Sequence, residues 1–307
     1  MNDEKMLMFE AATLYYEKKL TQQEIADLMN LSRQTVSRLL SDAVAEKIVE
    51  ITVHDPEKTR KELEEALRNR FGIRRCVVCG VSGNDPMLHR MMTVKAAVDY
   101  LLPIIEKGGL KIAVSWGRTI QELIGALPEI ATSGNVVFPL FGATNNETSY
   151  FSSNELARHM ADKIGADLKY AWFPYLTESA EDIALLKKLS YYKTMQELWN
   201  AADVAVFGIG GAKILDVFES TFGYSEKRSQ VVGDIATHFF NEKGELVNVY
   251  ENTLCASESN LKNAKEAIAV ACGTDKAEAI VGALRTGMVN TLITDEHTAR
   301  RVLELAR

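Results

Sequence analysis

The chain has 307 residues, 47% hydrophobic and 8% aromatic, with a formal charge of −7, which suits two domains or one large domain with a small appendage. No run of about 18 apolar residues occurs, which argues against a membrane-spanning helix. The charged start MNDEKMLMFEAATLYYEKK lacks the apolar stretch and cleavage site of a secretory signal, so a cytoplasmic protein is expected.

In chain order, Leu7, Ala11 and Leu14 fall at helical spacing and predict a first helix. The stretch TQQEIADLMNL places Thr21 three residues before Glu24, a capping box, and Ile25, Leu28 and Met29 supply a buried side. Only Asn30 and Leu31 then precede Ser32, a good N-cap for SRQTVSRLLSDAV. There Val36, Leu39, Leu40, Ala43 and Val44 form an apolar stripe, while Arg33, Gln34, Ser37, Arg38 and Ser41 cluster opposite. Next, IVEITV (48–53) alternates apolar and polar residues and reads as a strand. Three short helices and a β-wing describe a winged helix-turn-helix, whose second turn helix enters the DNA major groove. Arginine suits guanine edges, glutamine suits adenine, and hydroxyls serve phosphates or bases. The DNA-facing candidates are Thr21, Gln22, Ser32, Arg33, Gln34, Thr35, Ser37 and Arg38.

Charge argues the other way. The first 54 residues hold six Lys/Arg and nine Asp/Glu, a balance of −3. Affinity from phosphate neutralisation is therefore weak, which fits several heads acting together or reliance on base readout.

The segment DPEKTRKELEEALRNRFG (55–72) reads as a charged connector helix with Leu63, Leu67 and Phe71 on one side. The expected division is 1–54 DNA-binding head, 55–72 connector and 73–307 effector-binding and oligomerisation domain. From residue 76 onward, the apolar runs CVVCGV, LKIAVSW, NVVFPLF, KYAWF, VAVFGIG, EAIAVAC and VNTLIT alternate with amphipathic helices such as 91–107 and 153–165. That pattern predicts an α/β fold: an open, mainly parallel, Rossmann-like sheet covered on both faces. Ligands of such sheets sit at the carboxyl ends of strands.

Three strand ends stand out. Ser115-Trp116-Gly117 leads into a helix at Arg118-Thr119; Gly208, Gly210 and Gly211 follow an apolar strand; and Cys272-Gly273 precedes a helix opening with Thr274, Asp275 and Lys276. Arg118 and Lys276 fall in first turns, where a cation is mildly disfavoured by the helix dipole but joins free N–H groups to make an anion site. No complete Walker or dinucleotide pattern is present, and glycines after strands are often only turns. Cys76 and Cys79 form a CxxC inside an apparent strand, without the helix N-terminus of a redox pair or the second pair of a zinc site. Together with Cys255 and Cys272 they read as core filling, and neither a metal nor a cofactor is expected.

The head YYEKKLTQQEIADLMNLSRQTVSRLLSDAVAEKIVEITV, together with SWGRT, VVGDIATHFFNEKGE and DKAEAIVGALRTGMVNTLITDEHTARRVL, resembles the SorC family of bacterial sugar-responsive transcription regulators along the whole chain. The resemblance implies a tetrameric DNA-binding regulator whose effector domain is similar to sugar-phosphate isomerases. It implies a sugar or sugar phosphate held by loops matching SWGRT, GATN (Gly142, Ala143, Thr144, Asn145), the GD of VVGDI and the GTDK turn. Ser115, Gly117, Arg118, Thr119, Gly273, Thr274 and Lys276 would hold phosphate or hydroxyls, and Asp234 would accept from hydroxyls. Asp234 serves equally well as a turn or cap residue. The sequence departs from the family pattern at Cys272, commonly glycine, a change expected to reshape that turn. Phe141 stands just before the third strand-end loop, where a covalent imine would need lysine, so reversible binding is expected.

The expected function is a sequence-specific regulator, a repressor of a carbohydrate-catabolic operon, with operator DNA and a sugar as partners and no catalytic residues. An alternative is a sugar-phosphate isomerase or deaminase carrying a DNA-binding head. It would draw on Asp234, Asp275, Asp295, Glu296, His238 or His297, none at a recognisable catalytic spacing. The histidines at 54, 89, 159, 238 and 297 read as surface or core. A third reading makes the second domain a multimerisation module with Tyr191, Tyr192 and Trp199 at a contact surface.

Overall fold

The computed structural model describes residues 2–50, 56–144 and 152–306. The chain divides into two compact units at residues 55 and 56.

The first unit contains α1 (Asn2–Ala12), a π-helical turn (Thr13–Glu17), α2 (Gln22–Met29) and α3 (Arg33–Ala45). Its core is Met8, Ala11, Ala12, Ile25, Ala26, Val36, Leu39, Leu40 and Ala43. Thr21 caps α2 in a two-way capping box with Glu24, Asn30 closes it in the left-handed conformation, and Ser32 caps α3. Each cap satisfies N–H groups that have no partner inside the helix, which is why two helices start cleanly within a dozen residues. Three expected core positions differ. Leu7 and Met8 are both apolar, so periodicity alone cannot phase α1, and it is Met8 that is buried while Leu7 is exposed. Leu28 is 68% exposed, its place taken by Ala26, and Val44 lies outside the stripe that ends at Ala43. The expected wing strand lies partly outside the described residues; Ile48 and Val49 form a bend and Glu50 is in no strand.

The second unit opens with α4 (Pro56–Phe71), whose Leu63 and Leu67 are buried in the core of this unit. There follow β1 (Arg75–Cys79), α5 (Pro86–Ile105), β2 (Lys111–Val114), α6 (Arg118–Ala126), β3 (Val136–Pro139), α7 (Ser153–Ile164) and β4 (Asp167–Leu168). Then come α8 (Ala180–Leu186), α9 (Ser190–Asn200), β5 (Val204–Gly208), β6 (Gly210–Gly211), α10 (Ile214–Phe222), β7 (Gly233–Ile235) and β8 (His238–Phe240). The last elements are α11 (Glu258–Asn263), β9 (Glu266–Val270), α12 (Ala277–Arg285), β10 (Thr291–Asp295) and α13 (Glu296–Leu305). Seven strands pair in the order β1-β10-β9-β5-β2-β3-β4, all parallel. From β2 the chain builds outward through β3 and β4, then returns to lay β5 on the other side of β2. That reversal is a switch point, where a crevice opens at the strands' carboxyl ends.

Three further differences matter. KYAWF is not a strand: pairing ends at the two-residue edge strand β4, and Trp172 is 66% exposed. VVGDIATHFF forms an antiparallel hairpin, β7–β8, which joins β6 in a small separate sheet. The helix expected from residue 91 starts at Pro86, capped by Asp85, whose carboxylate accepts from the Met87 N–H at 2.9 Å. No helix among the described residues is long and apolar enough to cross a membrane.

Candidate functional site

In the first unit the cap on Ser32, with the Thr35 N–H donating to its Oγ at 3.0 Å, fixes where α3 begins and which face turns inward. Ser32, Arg33, Gln34, Ser37 and Arg38 are exposed on the other face, and Thr35 and Gln22 are half-buried. Thr21 spends its hydroxyl on the Glu24 capping box, so its part is to hold α2. A hollow of about 680 Å³ lies beside the starts of α2 and α3 and includes Tyr15, Tyr16, Lys19, Gln22 and Arg33. The two tyrosines and Lys19 were not foreseen, because the tyrosines lie in the π turn and Lys19 just after it, and no helical spacing signals that turn.

In the second unit the crevice at the β2/β5 switch point has a volume of about 400 Å³. Its wall brings together Ser115 to Thr119 from the end of β2, Gly208 and Ile209 from the end of β5, Gly210 from β6, Asp234 and Ala236 from the hairpin, and Lys276. Gly117 and Gly273 adopt φ +110° and +105°, conformations that side-chain-bearing residues rarely reach. Both turns therefore release the chain abruptly from strand to helix. Neither Gly117 nor Lys276 caps its helix by a side chain. Trp116 is held edge-on between Phe141 at 5.2 Å and Phe218 at 4.9 Å, offering an apolar floor.

Asp234 is the buried charge of the crevice, 3% exposed. Burial pushes its carboxyl up to about 6, against the pull of the Thr237 N–H, the Lys276 ammonium and the Gly210 N–H. It therefore both ties the hairpin turn, accepting from the Thr237 N–H at 3.3 Å, and faces the crevice. The close approach to β6 requires glycine: a Cβ at position 210 would lie 2.0 Å from Asp234 Oδ1. Lys276 crosses the opening, its Nζ donating to the Ile209 carbonyl at 3.3 Å.

The crevice adjoins a second cavity of about 460 Å³ and shares Arg90, Thr119 and Lys276 with it. Gly273 and Thr274 line this second space, along with Asn84, His89 and His297. His89 is buried between two acceptors, with Nδ1 3.0 Å from Asp295 Oδ1 and Nε2 2.9 Å from the Gly83 carbonyl. A neutral imidazole carries a single N–H, so satisfying both acceptors requires the imidazolium. Burial opposes that charge, but the Gly83 carbonyl and Asp295 outweigh it and raise His89 above its ordinary value. Asp295 is pushed up by burial, yet the Thr298 hydroxyl and N–H, with His89, hold it below the usual carboxylate range. Cys79 hydrogen-bonds Thr93 at 3.5 Å, and burial raises its thiol to about 11; Cys272 is raised for the same reason.

Three expected positions among the described residues are not brought to the crevice. Gly142 donates its N–H to the Leu254 carbonyl, and Ala143 bridges to Pro174, so both belong to the packing of the β3 end. Thr144 lines neither cavity, and Asn145 lies outside the described residues. Conversely, sequence reading missed His89 and Arg90. With Asp85 read as N-cap and Pro86 as first helical residue, both would have fallen in a helix's first turns just after β1, as Arg118 does after β2.

A capped helix-turn-helix head and an α/β unit with a ligand-sized crevice define a DNA-binding protein controlled by a small molecule. The family model "Putative sugar-binding domain" matches residues 55–304, and one for a Crp-like helix-turn-helix domain matches residues 7–61. The chain belongs to the SorC family of sugar-responsive transcription regulators. It is 31% identical to the sorbitol operon regulator of Klebsiella pneumoniae, over 99% of each chain. It is 28% identical to the deoxyribonucleoside regulator of Bacillus subtilis, over 98% of each. The crystal structure of the full-length K. pneumoniae regulator SorC superposes with a TM-score of 0.73 at 29% identity, covering 98% of this chain and 99% of that one.

Proposed function

We propose that this protein represses a carbohydrate-catabolic operon and that a sugar or sugar phosphate, bound without a covalent bond in the β2/β5 crevice, controls its grip on DNA. The observation that carries this reading is the pairing, in one crevice, of a buried carboxylate with cations: Asp234 faces the same space as Arg90, Arg118 and Lys276. A carboxylate accepts from sugar hydroxyls, the Trp116 and Ile214 surfaces suit the C–H face of a carbon chain, and the cations suit an anionic group. Phe141, which stands where an imine-forming lysine would be needed, is fully buried against Trp116 and Tyr175, which supports reversible capture. Arg33, Gln34, Ser37 and Arg38 would read base edges, while Ser32, Thr35, Thr21 and Gln22 would serve the sugar-phosphate backbone or hold the helices. A homotetramer in the cytoplasm, pooling the contacts of several weakly charged heads, completes the reading.

The test is an electrophoretic shift on the protein's own promoter, titrated with sugars and sugar phosphates. A ligand that lowers DNA affinity supports the reading; one that raises it makes the protein a co-repressor-dependent regulator. If no member of the panel changes DNA affinity or melting temperature, the effector half of the proposal fails. The enzyme alternative is tested by assaying aldose–ketose interconversion: turnover abolished by Asp234→Asn would establish it.

A further inference from the structure

The β7–β8 hairpin separates the crevice from another hollow in the same unit, of about 270 Å³, and the two share no lining residue. Because Ile235 pairs with His238, the turn consists of Ala236 and Thr237 alone. Both adopt positive φ, +46° and +74°, a conformation that such turns usually give to glycine or asparagine and that a β-branched residue rarely takes. Ala236 lines the crevice and Thr237 lines the hollow. The Asp234 carboxylate accepts the Thr237 N–H at 3.3 Å and so holds the turn. Thr237 is 6% exposed, and among the described residues its Oγ1 has no hydrogen-bond partner. The Tyr175 phenol and the Cys255 thiol stand near that oxygen without closing a bond of ordinary geometry. Leaving a buried hydroxyl unsatisfied is costly, and a ligand atom or a water would recover that cost.

The wall of the hollow is uncharged. Among the described residues no Asp, Glu, Lys or Arg lines it. Burial raises the Tyr175 phenol and the Cys255 thiol. It also pushes the Tyr250 phenol up to about 12, with the Glu219 carboxylate adding. Burial lowers His238, so its neutral ring donates from Nε2 to the Ala256 carbonyl at 2.8 Å and keeps Nδ1 as an acceptor. The Tyr250 hydroxyl is spent on the Gly223 carbonyl at 3.0 Å, which leaves its ring, beside that of Phe239 at 6.1 Å, as apolar surface. Val247 and Val249 extend that surface. The volume falls below the roughly 300–1,000 Å³ of sites for drug-sized ligands, which limits the occupant to a small molecule.

We infer that this hollow is a second small-molecule site, for an uncharged hydroxylated ligand no larger than a monosaccharide: a polyol or a free sugar. The Thr237 hydroxyl bonds a ligand oxygen, and the rings of Phe239 and Tyr250 with the two valines meet its C–H face. An anion would leave its charge unpaired against this wall. The inference goes beyond the proposed function, which concerns the crevice alone. The turn also links the two sites, because whatever draws on Thr237 pulls through its N–H on the Asp234 carboxylate of the crevice.

The full-length protein is titrated calorimetrically with glycerol, ribitol, mannitol, ribose and glucose. At least one probe is expected to bind the wild type and Asp234→Asn within threefold of each other, to bind Thr237→Val at least fivefold more weakly, and to fail to bind Val249→Phe, whose ring fills the hollow. Thr237→Val keeps the branched shape and removes only the hydroxyl, so the ligand-free melting temperature should stay at or above the wild-type value. Binding that survives both Thr237→Val and Val249→Phe overturns the inference. If that binding is lost in Asp234→Asn, the probe sits in the crevice and the proposed function stands. No binding by any probe, or a probe-soaked crystal with only water at Thr237 Oγ1, overturns the inference as well and leaves control through the crevice untouched.

Discussion

The head and the body of this chain build their functional surfaces in opposite ways. In the head a single helix carries the surface. The residues that fix α3, Ser32 at its cap and Val36, Leu39 and Leu40 on its buried side, are interleaved with Arg33, Gln34, Ser37 and Arg38 on its outer side. In the body no element carries the site: the crevice draws on the ends of β2 and β5, the β7–β8 hairpin, the start of α5 and the turn after β9. The contrast teaches where damage is local and where it spreads. On the proposed reading, a change on the exposed face of α3 would alter recognition and nothing else, whereas a change at one strand end would shift what several segments present to a ligand.

The largest expected effect comes from separating the two units. Ile25 is fully buried in the small core of the head. Its truncation to alanine removes about 2–5 kcal/mol, most of what a unit of roughly 50 residues holds at about 0.05–0.15 kcal/mol per residue. Calorimetry of Ile25→Ala should show the head's transition lost or far below that of the body, with DNA binding gone and ligand-induced stabilisation of the body intact. One cooperative transition that loses both functions would mean the two units are not independent.

Next in size is Gly210→Ala, which breaks the body and spares the head. The added Cβ overlaps the Asp234 carboxylate, and such overpacking costs about 1–3 kcal/mol. The effector should no longer change DNA affinity, while affinity without effector stays at the wild-type level. Arg38→Ala is the converse: it should weaken operator binding by about 1–3 kcal/mol if the guanidinium reads a base, with the melting temperature unmoved because the side chain is exposed. Unchanged affinity would make the polar face of α3 a solvated one.

The same contrast explains what was legible in the sequence. The head's surface follows from caps and a 3.6-residue period, both local, so Ser32 to Arg38 could be placed without a structure. Its errors were of phase, Leu7 for Met8 and Leu28 for Ala26, where neighbouring apolar residues leave the period ambiguous. In the body, the parallel sheet and the strand ends at SWGRT and GTDK were legible because glycines and apolar runs mark them. Arg90 was not, because the α5 start was set five residues late. His89 was not, because its significance lies in Asp295, 206 positions away, and no periodicity connects the two. Of GATN, Gly142 and Ala143 are fixed by Leu254 and Pro174, contacts that a loop sequence does not announce.

The smallest and most discriminating effect concerns the proton on Asp234. Its folded-state value of about 6 lies above the ordinary 3.8, with burial as the leading cause and the Thr237 N–H, Lys276 and the Gly210 N–H opposing it. A raised carboxyl binds its proton more tightly in the folded state, so its contribution to stability is fully present below the ordinary value and is lost as pH rises through about 6. Asp234→Asn stays neutral throughout and removes that one-proton slope. The melting-temperature difference between variant and wild type should therefore change between pH 4 and 7 and level off above. The ligand-free protein is the one to use, because a phosphate monoester titrates near 6 itself. All other carboxylates are common to both proteins and cancel in the difference, and nothing in the head should contribute. Parallel profiles would show that Asp234 is ionised across the whole range, held by Lys276 more firmly than burial opposes, and the crevice would then present a permanent carboxylate to its ligand.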